Sequence, residues 1–201
     1  MAANALQYFV VYKPYGVLSQ FTTEEGKLGL GSLYKFPKAV YPVGRLDEDS
    51  EGLIIITNDK HLTTLVLSPK HEKTKTYWCL VEGTPDAAAL AKLEKGLVLS
   101  DKGQLYKTKV SKAKLLDPAP EIPERNPPVN YTKTPQHSWL ELRITEGKNR
   151  QVRKMTAAVG HPTLRLIRVG IENLKLVSFE PGAVQQLFPN KIYALLNLKK
   201  E

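Results

Sequence analysis

The run Gly52-Leu53-Ile54-Ile55-Ile56-Thr57 constrains this chain most. Its apolar residues are consecutive rather than alternating, and mostly β-branched. It falls far short of the ~20 residues that span a bilayer and fits a strand buried on both faces. A polar stretch, Gly44-Arg45-Leu46-Asp47-Glu48-Asp49-Ser50-Glu51, leads directly into it. Downstream, Asn58-Asp59 can cap a helix over Lys60 to Leu67, stopped by Ser68-Pro69.

Other segments follow the same logic. Tyr8 to Tyr12, Ala39 to Val43, Lys75 to Glu82, Leu97 to Ser100, Leu105 to Leu115, Ser138 to Thr145, Leu164 to Val169, Leu174 to Phe179 and Ile192 to Leu198 read as strands or extended runs. Thr22 to Ser32 is Gly- and charge-rich and reads as a loop. Thr84 as N-cap and Pro85 at N1 open a helix that Gly96 closes. A further helix is expected over Asn149 to Val159, and a short one over Ala183 to Leu187. Asp117 to Pro135 carries six prolines and reads as a long irregular loop. Strands outnumber helices without strict alternation, so the expected class is α+β, with a mixed, largely antiparallel sheet and flanking helices. At 201 residues the chain can bury a core without staples.

Charge divides the chain. Residues 1–100 carry 11 basic and 11 acidic groups, and residues 101–201 carry 18 and 9, so the whole excess of +9 lies in the second part. Asp101 to Lys114 holds Lys102, Lys107, Lys109, Lys112 and Lys114 against Asp101. Thr145 to Gly170 holds Lys148, Arg150, Arg153, Lys154, Arg165 and Arg168 against Glu146. A localised positive field suits a polyanion such as RNA. It equally suits a solvated surface, and lysines commonly guard edge strands. Lys107 and Lys109 fall on one face of the expected strand, with Lys112 and Lys114 continuing after a phase change read as a bulge.

Three clusters could carry chemistry. Arg45 and Asp47 point the same way in an extended segment, and an Arg beside an Asp favours a charged carboxylate fit to act as nucleophile or base. An acidic surface loop is the competing reading. In Lys148-Asn149-Arg150-Gln151-Val152-Arg153-Lys154-Met155, helical spacing gathers Arg150, Arg153 and Lys154 on one face. Cations at a helix N-terminus oppose the macrodipole, and a bound anion would relieve them. In Lys75-Thr76-Tyr77-Trp78, alternation puts Lys75 and Tyr77 on one side; a tyrosine there can stack on a base or pack in the core. The single Cys79 excludes a disulfide framework, and the four histidines show no metal spacing. No Gly-rich phosphate loop is present, so no nucleotide cofactor and no metal are expected. The N-terminus carries no secretory pattern and no long apolar run is present, which points to a cytosolic or organellar-matrix protein; a cytoplasmic one is expected.

Together these clusters resemble the pseudouridine synthases that modify ribosomal RNA in bacteria, in the branch typified by the small-subunit enzyme. The residues that carry it are Gly44-Arg45-Leu46-Asp47-x-x-Ser50-x-Gly52 with the apolar run to Asp59, then Lys75-Thr76-Tyr77, Glu146 to Met155, and Leu164 to Gly170. The resemblance implies a cofactor-free isomerisation of a uridine in 23S ribosomal RNA: the N1 glycosidic bond breaks, the base turns, and C5 bonds to C1′. It implies Asp47 as the essential aspartate, whether it attacks C1′, adds to the base or acts after elimination. Arg153 would pair with that aspartate, Tyr77 would stack on the target base, and Arg45 would assist base flipping. Leu166 would line the pocket. Lys75, Lys107, Lys109, Lys148, Asn149, Arg150 and Lys154 would bind RNA. Ser50 stands where threonine is commoner. The match implies one catalytic domain over residues 1–201, in sub-lobes of about 1–70 and 71–201. An S4-type RNA-binding domain, about 60 residues in its relatives and near the lower limit for independent folding, is not expected before Tyr8. A monomer away from membranes is expected. An enzyme acting on 16S or transfer RNA, and a non-catalytic assembly factor, remain as alternatives.

Overall fold

The computed structural model describes residues 5–131, 135–176, 178 and 180–199. They form two compact units: the described residues among 5–73 and 169–199, and those among 74–168. The C-terminal segment thus belongs with the N-terminal residues, whereas chain order alone placed it with the second lobe.

In the first unit, β1 (Tyr8–Lys13) pairs antiparallel with β3 (Glu51–Thr57), and β2 (Tyr41–Pro42) lies on β3. Every residue of β3 is buried. Alternation sorts the two strands into two cores. Tyr8, Val10, Leu53 and Ile55 pack with Leu62 and Val66 of α1 (Lys60–Leu67) and with Ile192, Tyr193 and Leu196. Phe9, Val11, Ile54 and Ile56 face the other way, onto Val17, Leu30 and Val40, with Phe21, Leu33 and Phe36 beside them. The consecutive apolar run therefore serves both faces, each full burial worth roughly 1.5–3 kcal/mol. Asp59 caps α1 by accepting from Leu62 N at 2.9 Å and also accepts from the Tyr8 and Tyr193 hydroxyls at 2.7 and 2.8 Å.

The end of the chain corrects two sequence assignments. Residues 184–187 are not helical; they form β11 (Val184–Leu187), antiparallel to β1 from Tyr8↔Leu187 to Val11↔Val184. The strand expected over Ile192 to Leu198 does not form; residues 189–195 are α4 (Pro189–Leu195), with Pro189 in the first turn and Ile192, Tyr193 and Leu196 turned onto the core. Of the strand expected over Leu174 to Phe179, only β10 (Leu174–Lys175) forms, and Val177 and Phe179 lie outside the described residues.

In the second unit, β4 (Lys75–Glu82) pairs antiparallel with β8 (His137–Ile144), which pairs with β7 (Lys112–Leu115). The helix after β4 begins later than expected. α2 (Ala87–Lys95) is capped by Asp86, whose carboxylate accepts from Ala89 N at 2.7 Å, not by Thr84. β5 (Val98–Asp101) and β6 (Gln104–Lys107) form a separate hairpin. The single strand expected over Leu105 to Leu115 is thus two strands in different sheets, divided at Thr108 to Ser111. Thr108 N donates to Leu97 O, and Ser111 is held by Leu93 O and Glu94 O on α2. Lys107 and Lys109 consequently do not share a strand face. α3 (Gln151–Ala158) follows β8, and β9 (Thr163–Ile171) carries the chain back into the first unit.

Candidate active site

Asp47 lies on the loop between β2 and β3, and the backbone on each side of it is fixed. Before it, Ser19 clasps Leu46 twice: Leu46 N donates to Ser19 Oγ at 2.9 Å, and Ser19 Oγ donates to Leu46 O at 2.7 Å. After it, Glu48 O accepts from Gly16 N at 2.9 Å and from Lys13 Nζ at 3.3 Å. Asp47 O itself accepts from Ser50 N at 3.0 Å. Gly44 starts the loop at φ +74°, a left-handed conformation that favours glycine; the one atom a Cβ would meet, Leu67 Cδ2, ends an exposed side chain that can move aside. This arrangement holds Asp47 at an intermediate burial, reachable but not freely solvated.

Lys13 was not visible as a site residue from sequence. It ends β1, yet its side chain is fully buried beneath the loop. Its ammonium donates to Val17 O at 2.6 Å and Pro14 O at 2.9 Å as well as to Glu48 O. Burial lowers it from the ordinary 10.5 to about 8, while the carboxylates of Glu51, Asp49, Asp47 and Glu48 pull it upward. Only the Lys13-Pro14-Tyr15-Gly16 turn signal marked this place in the sequence. The acidic neighbours of Asp47 also gain roles. Glu48 pairs with Lys27 at 2.9 Å, and Glu51 Oε1 accepts from the Tyr12 hydroxyl at 2.9 Å. Ser50 Oγ is buried and makes no hydrogen bond. Arg45 is exposed on the same loop.

The remaining expected site residues lie in the second unit. Tyr77 is buried on β4, opposite Leu142, and Lys75 is half-buried on the same strand face. Cys79, the next residue on that face, is fully buried; burial pushes its thiol up to about 12, opposed by the positive charge of Arg153. The Arg153 guanidinium is thus near enough for its charge to be felt at Cys79. It extends from α3 and donates to Thr163 O at 3.1 Å. Leu166 is buried on β9.

α3 begins two residues later than expected. Arg150 is its N-cap, in left-handed conformation at φ 50°, so it does not share a helical face with Arg153 and Lys154. Lys148, Asn149 and Arg150 are exposed on the approach to the helix. Gln151 builds this approach: its side-chain oxygen accepts from Lys148 N at 2.9 Å and its amide donates to Glu146. Lys154 pairs with Asp101 of the hairpin at 3.0 Å, so part of the cationic excess is answered within the chain. Two more contacts bring lysine segment and arginine segment side by side: Lys109 N donates to Glu146 Oε1 at 2.8 Å, and Lys148 Nζ sits 4.0 Å over the Tyr106 ring. Lys107 and Lys109 are exposed there. Lys112 and Lys114 lie apart from them on β7, the terminal strand of the β4-β8-β7 order, where edge protection is their natural role. Among the described residues, no group of three or more His, Cys, Asp or Glu side chains could hold a metal ion, and no helix is long and apolar enough to cross a membrane.

Residues 7–158 match the family model described as RNA pseudouridylate synthase. The ribosomal large subunit pseudouridine synthase E of Xanthomonas axonopodis is 49% identical over 171 residues, 84% of this chain and 87% of the relative. That of Vibrio parahaemolyticus is 45% identical over 175 residues, covering 87% and 71%. Among solved structures, a crystal structure of a pseudouridylate synthase matches with TM-score 0.77 at 26% identity, over 97% of this chain and 76% of the other.

Proposed function

This chain belongs to the RNA pseudouridylate synthase family, and we propose that it converts one uridine of large-subunit (23S) ribosomal RNA to pseudouridine in the cytoplasm. The carrying observation is the loop around Asp47, whose backbone is fixed at Leu46, Asp47 and Glu48 by Ser19, Ser50, Gly16 and Lys13. A carboxylate so held can meet a flipped-out nucleotide without reorganising, which is how positioning lowers a barrier. The relatives named for the large subunit, at 45–49% identity, supply the choice of RNA.

The reaction is balanced without a cofactor. The N1–C1′ bond breaks, the uracil turns, C5 bonds to C1′, and the C5 proton leaves while N1 gains one. Asp47 acts on the ribose or the base, Arg153 is the basic residue that the family pattern pairs with it, and Tyr77 stacks on the uracil, with Leu166 lining the pocket. Arg45 supports the flipped nucleotide. Lys75, Lys107, Lys109, Lys148, Asn149 and Arg150 meet the RNA backbone, and Lys154 holds the hairpin through Asp101. The enzyme works as a monomer. Incubation with transcripts of 23S, 16S and transfer RNA, followed by carbodiimide-stop mapping, tests the target. A new stop confined to the 23S transcript is expected; a stop only in 16S or transfer RNA overturns the assignment.

A further inference from the structure

The hairpin β5–β6 presents one face entirely to solvent. Its register pairs Val98 with Lys107 and Ser100 with Leu105, so these four side chains share that face. All four are exposed, Val98 by 64% and Leu105 by 76%. Lys102 is exposed at the tip, where Lys102 and Gly103 take φ +49° and +83°, the two-residue turn that matches strand twist. Lys109 and Val110, the latter 74% exposed, continue beyond β6.

The opposite face is anchored. Leu99 is buried, Asp101 pairs with Lys154, and the Tyr106 ring lies under Lys148. Thr108 Oγ1 accepts from Leu97 N at 2.9 Å and closes the base of the hairpin. An isolated two-stranded hairpin is marginal in water, yet this one is held to α3 through Asp101–Lys154 and to the segment before α3 through Tyr106 and Lys148. Its exposed aliphatic pair is therefore displayed in a fixed position, where an unpartnered apolar edge would otherwise invite aggregation.

We propose that this face is a docking ridge for a double-stranded RNA stem beside the target nucleotide. The proposal rests on the RNA-modifying function above, in which Lys107 and Lys109 already meet the RNA backbone, and adds to it Lys102, the aliphatic pair Val98 and Leu105, and the duplex form of the RNA they meet. Lysines 102, 107 and 109 around the aliphatic pair give the charge complementarity for phosphates. The chemistry of the face favours a stem over single strands. Single-stranded RNA is gripped by aromatic stacking, and this face carries none. The wide, shallow minor groove of an RNA duplex offers riboses against which Val98 and Leu105 can pack while the lysines reach the flanking phosphates.

Two variants test it: Val98→Ser/Leu105→Ser and Lys102→Glu/Lys107→Glu, each checked for an unchanged melting temperature. On the 23S transcript, the serine variant is expected to raise KM about tenfold with kcat unchanged, because stem docking precedes chemistry. The glutamate variant is expected to flatten the logarithmic salt dependence of binding by about 2, since two phosphate contacts are lost. Filter binding to a 20-base-pair RNA stem, against a single strand of equal length, separates this proposal from the functional reading. Wild type should prefer the stem and both variants should lose the preference, whether or not any transcript is modified. Unchanged KM and unchanged stem preference in both variants would overturn the ridge and leave Val98 and Leu105 as a surface for a protein.

Discussion

Replacing Lys13 by Met probes the support of the Asp47 loop with a measurable sign. The substitution keeps most of the side-chain volume and deletes three hydrogen bonds, to Pro14 O, Val17 O and Glu48 O. Glu48 O retains Gly16 N as a donor; the other two carbonyls lose the lysine, and a buried orphan costs about 1–3 kcal/mol. With two such carbonyls the variant should be about 2–6 kcal/mol less stable at pH 7.5. The gap then widens with alkali. In the native state Lys13 releases its proton near 8, but in the unfolded chain near 10.5. Between those values the unfolded chain binds more protons, so the wild type gains stability as pH rises, at up to about 1.4 kcal/mol per pH unit. Met has no such slope. From pH 7.5 to 9.5 the wild-type advantage should grow by roughly 2 kcal/mol in urea titrations followed by tryptophan fluorescence. Activity should fall about 100-fold, as displacing the loop by about 1 Å is enough for that. Parallel stability curves across this pH range would refute the buried ammonium, and full activity would refute its hold on Asp47.

Other expectations are simpler. Asp59→Ala removes the α1 cap and leaves the Tyr8 and Tyr193 hydroxyls without their acceptor, so thermal or urea unfolding should show a loss of about 3–5 kcal/mol. Burial opposes the charge of Asp59, but hydrogen bonds from Tyr8, Leu62 and Tyr193 outweigh it and hold its pKa below the ordinary value. Its stabilising contribution is therefore present above the unfolded pKa and lost as pH falls through the folded one, so wild type and Asp59→Ala should converge in acid. Asp86→Ala should cost about 1 kcal/mol and Thr84→Ala nearly nothing, since Asp86 is the cap; equal losses would contradict the observed helix start. Ser19→Ala should lower kcat while leaving RNA affinity unchanged, because it frees Leu46 beside Asp47 without touching the basic surface.

Local chemistry made much of the fold legible. Asp59 and Ser68 bound α1 at the residues their caps suggest, and alternation from Lys75 to Glu82 marks β4 fully. Misreadings arose where distant partners decide. Val184 to Leu187 is extended because β1, far away in sequence, offers it an edge. Ile192 to Leu196 is apolar enough for a strand, but Pro189 and the spacing of its buried residues make it a helix. The Leu105 to Leu115 lysines alternate convincingly, yet Ser111 is tied to α2 and splits the segment. At the site, Arg45, Asp47 and Ser50 were recognisable as a pattern. The supports of that loop were not: Ser19 and Lys13 are ordinary residue types, and only the fold shows that one clasps Leu46 and the other is buried.

The most direct test is release of the C5 hydrogen. RNA carrying tritium at uracil C5 should lose label to water with the wild-type protein, because C5 exchanges its hydrogen for the bond to C1′. Asp47→Asn, which keeps the loop's backbone hydrogen bonds but not the charge, should release none above background. Label released by Asp47→Asn at the wild-type rate would contradict Asp47 as the reacting carboxylate.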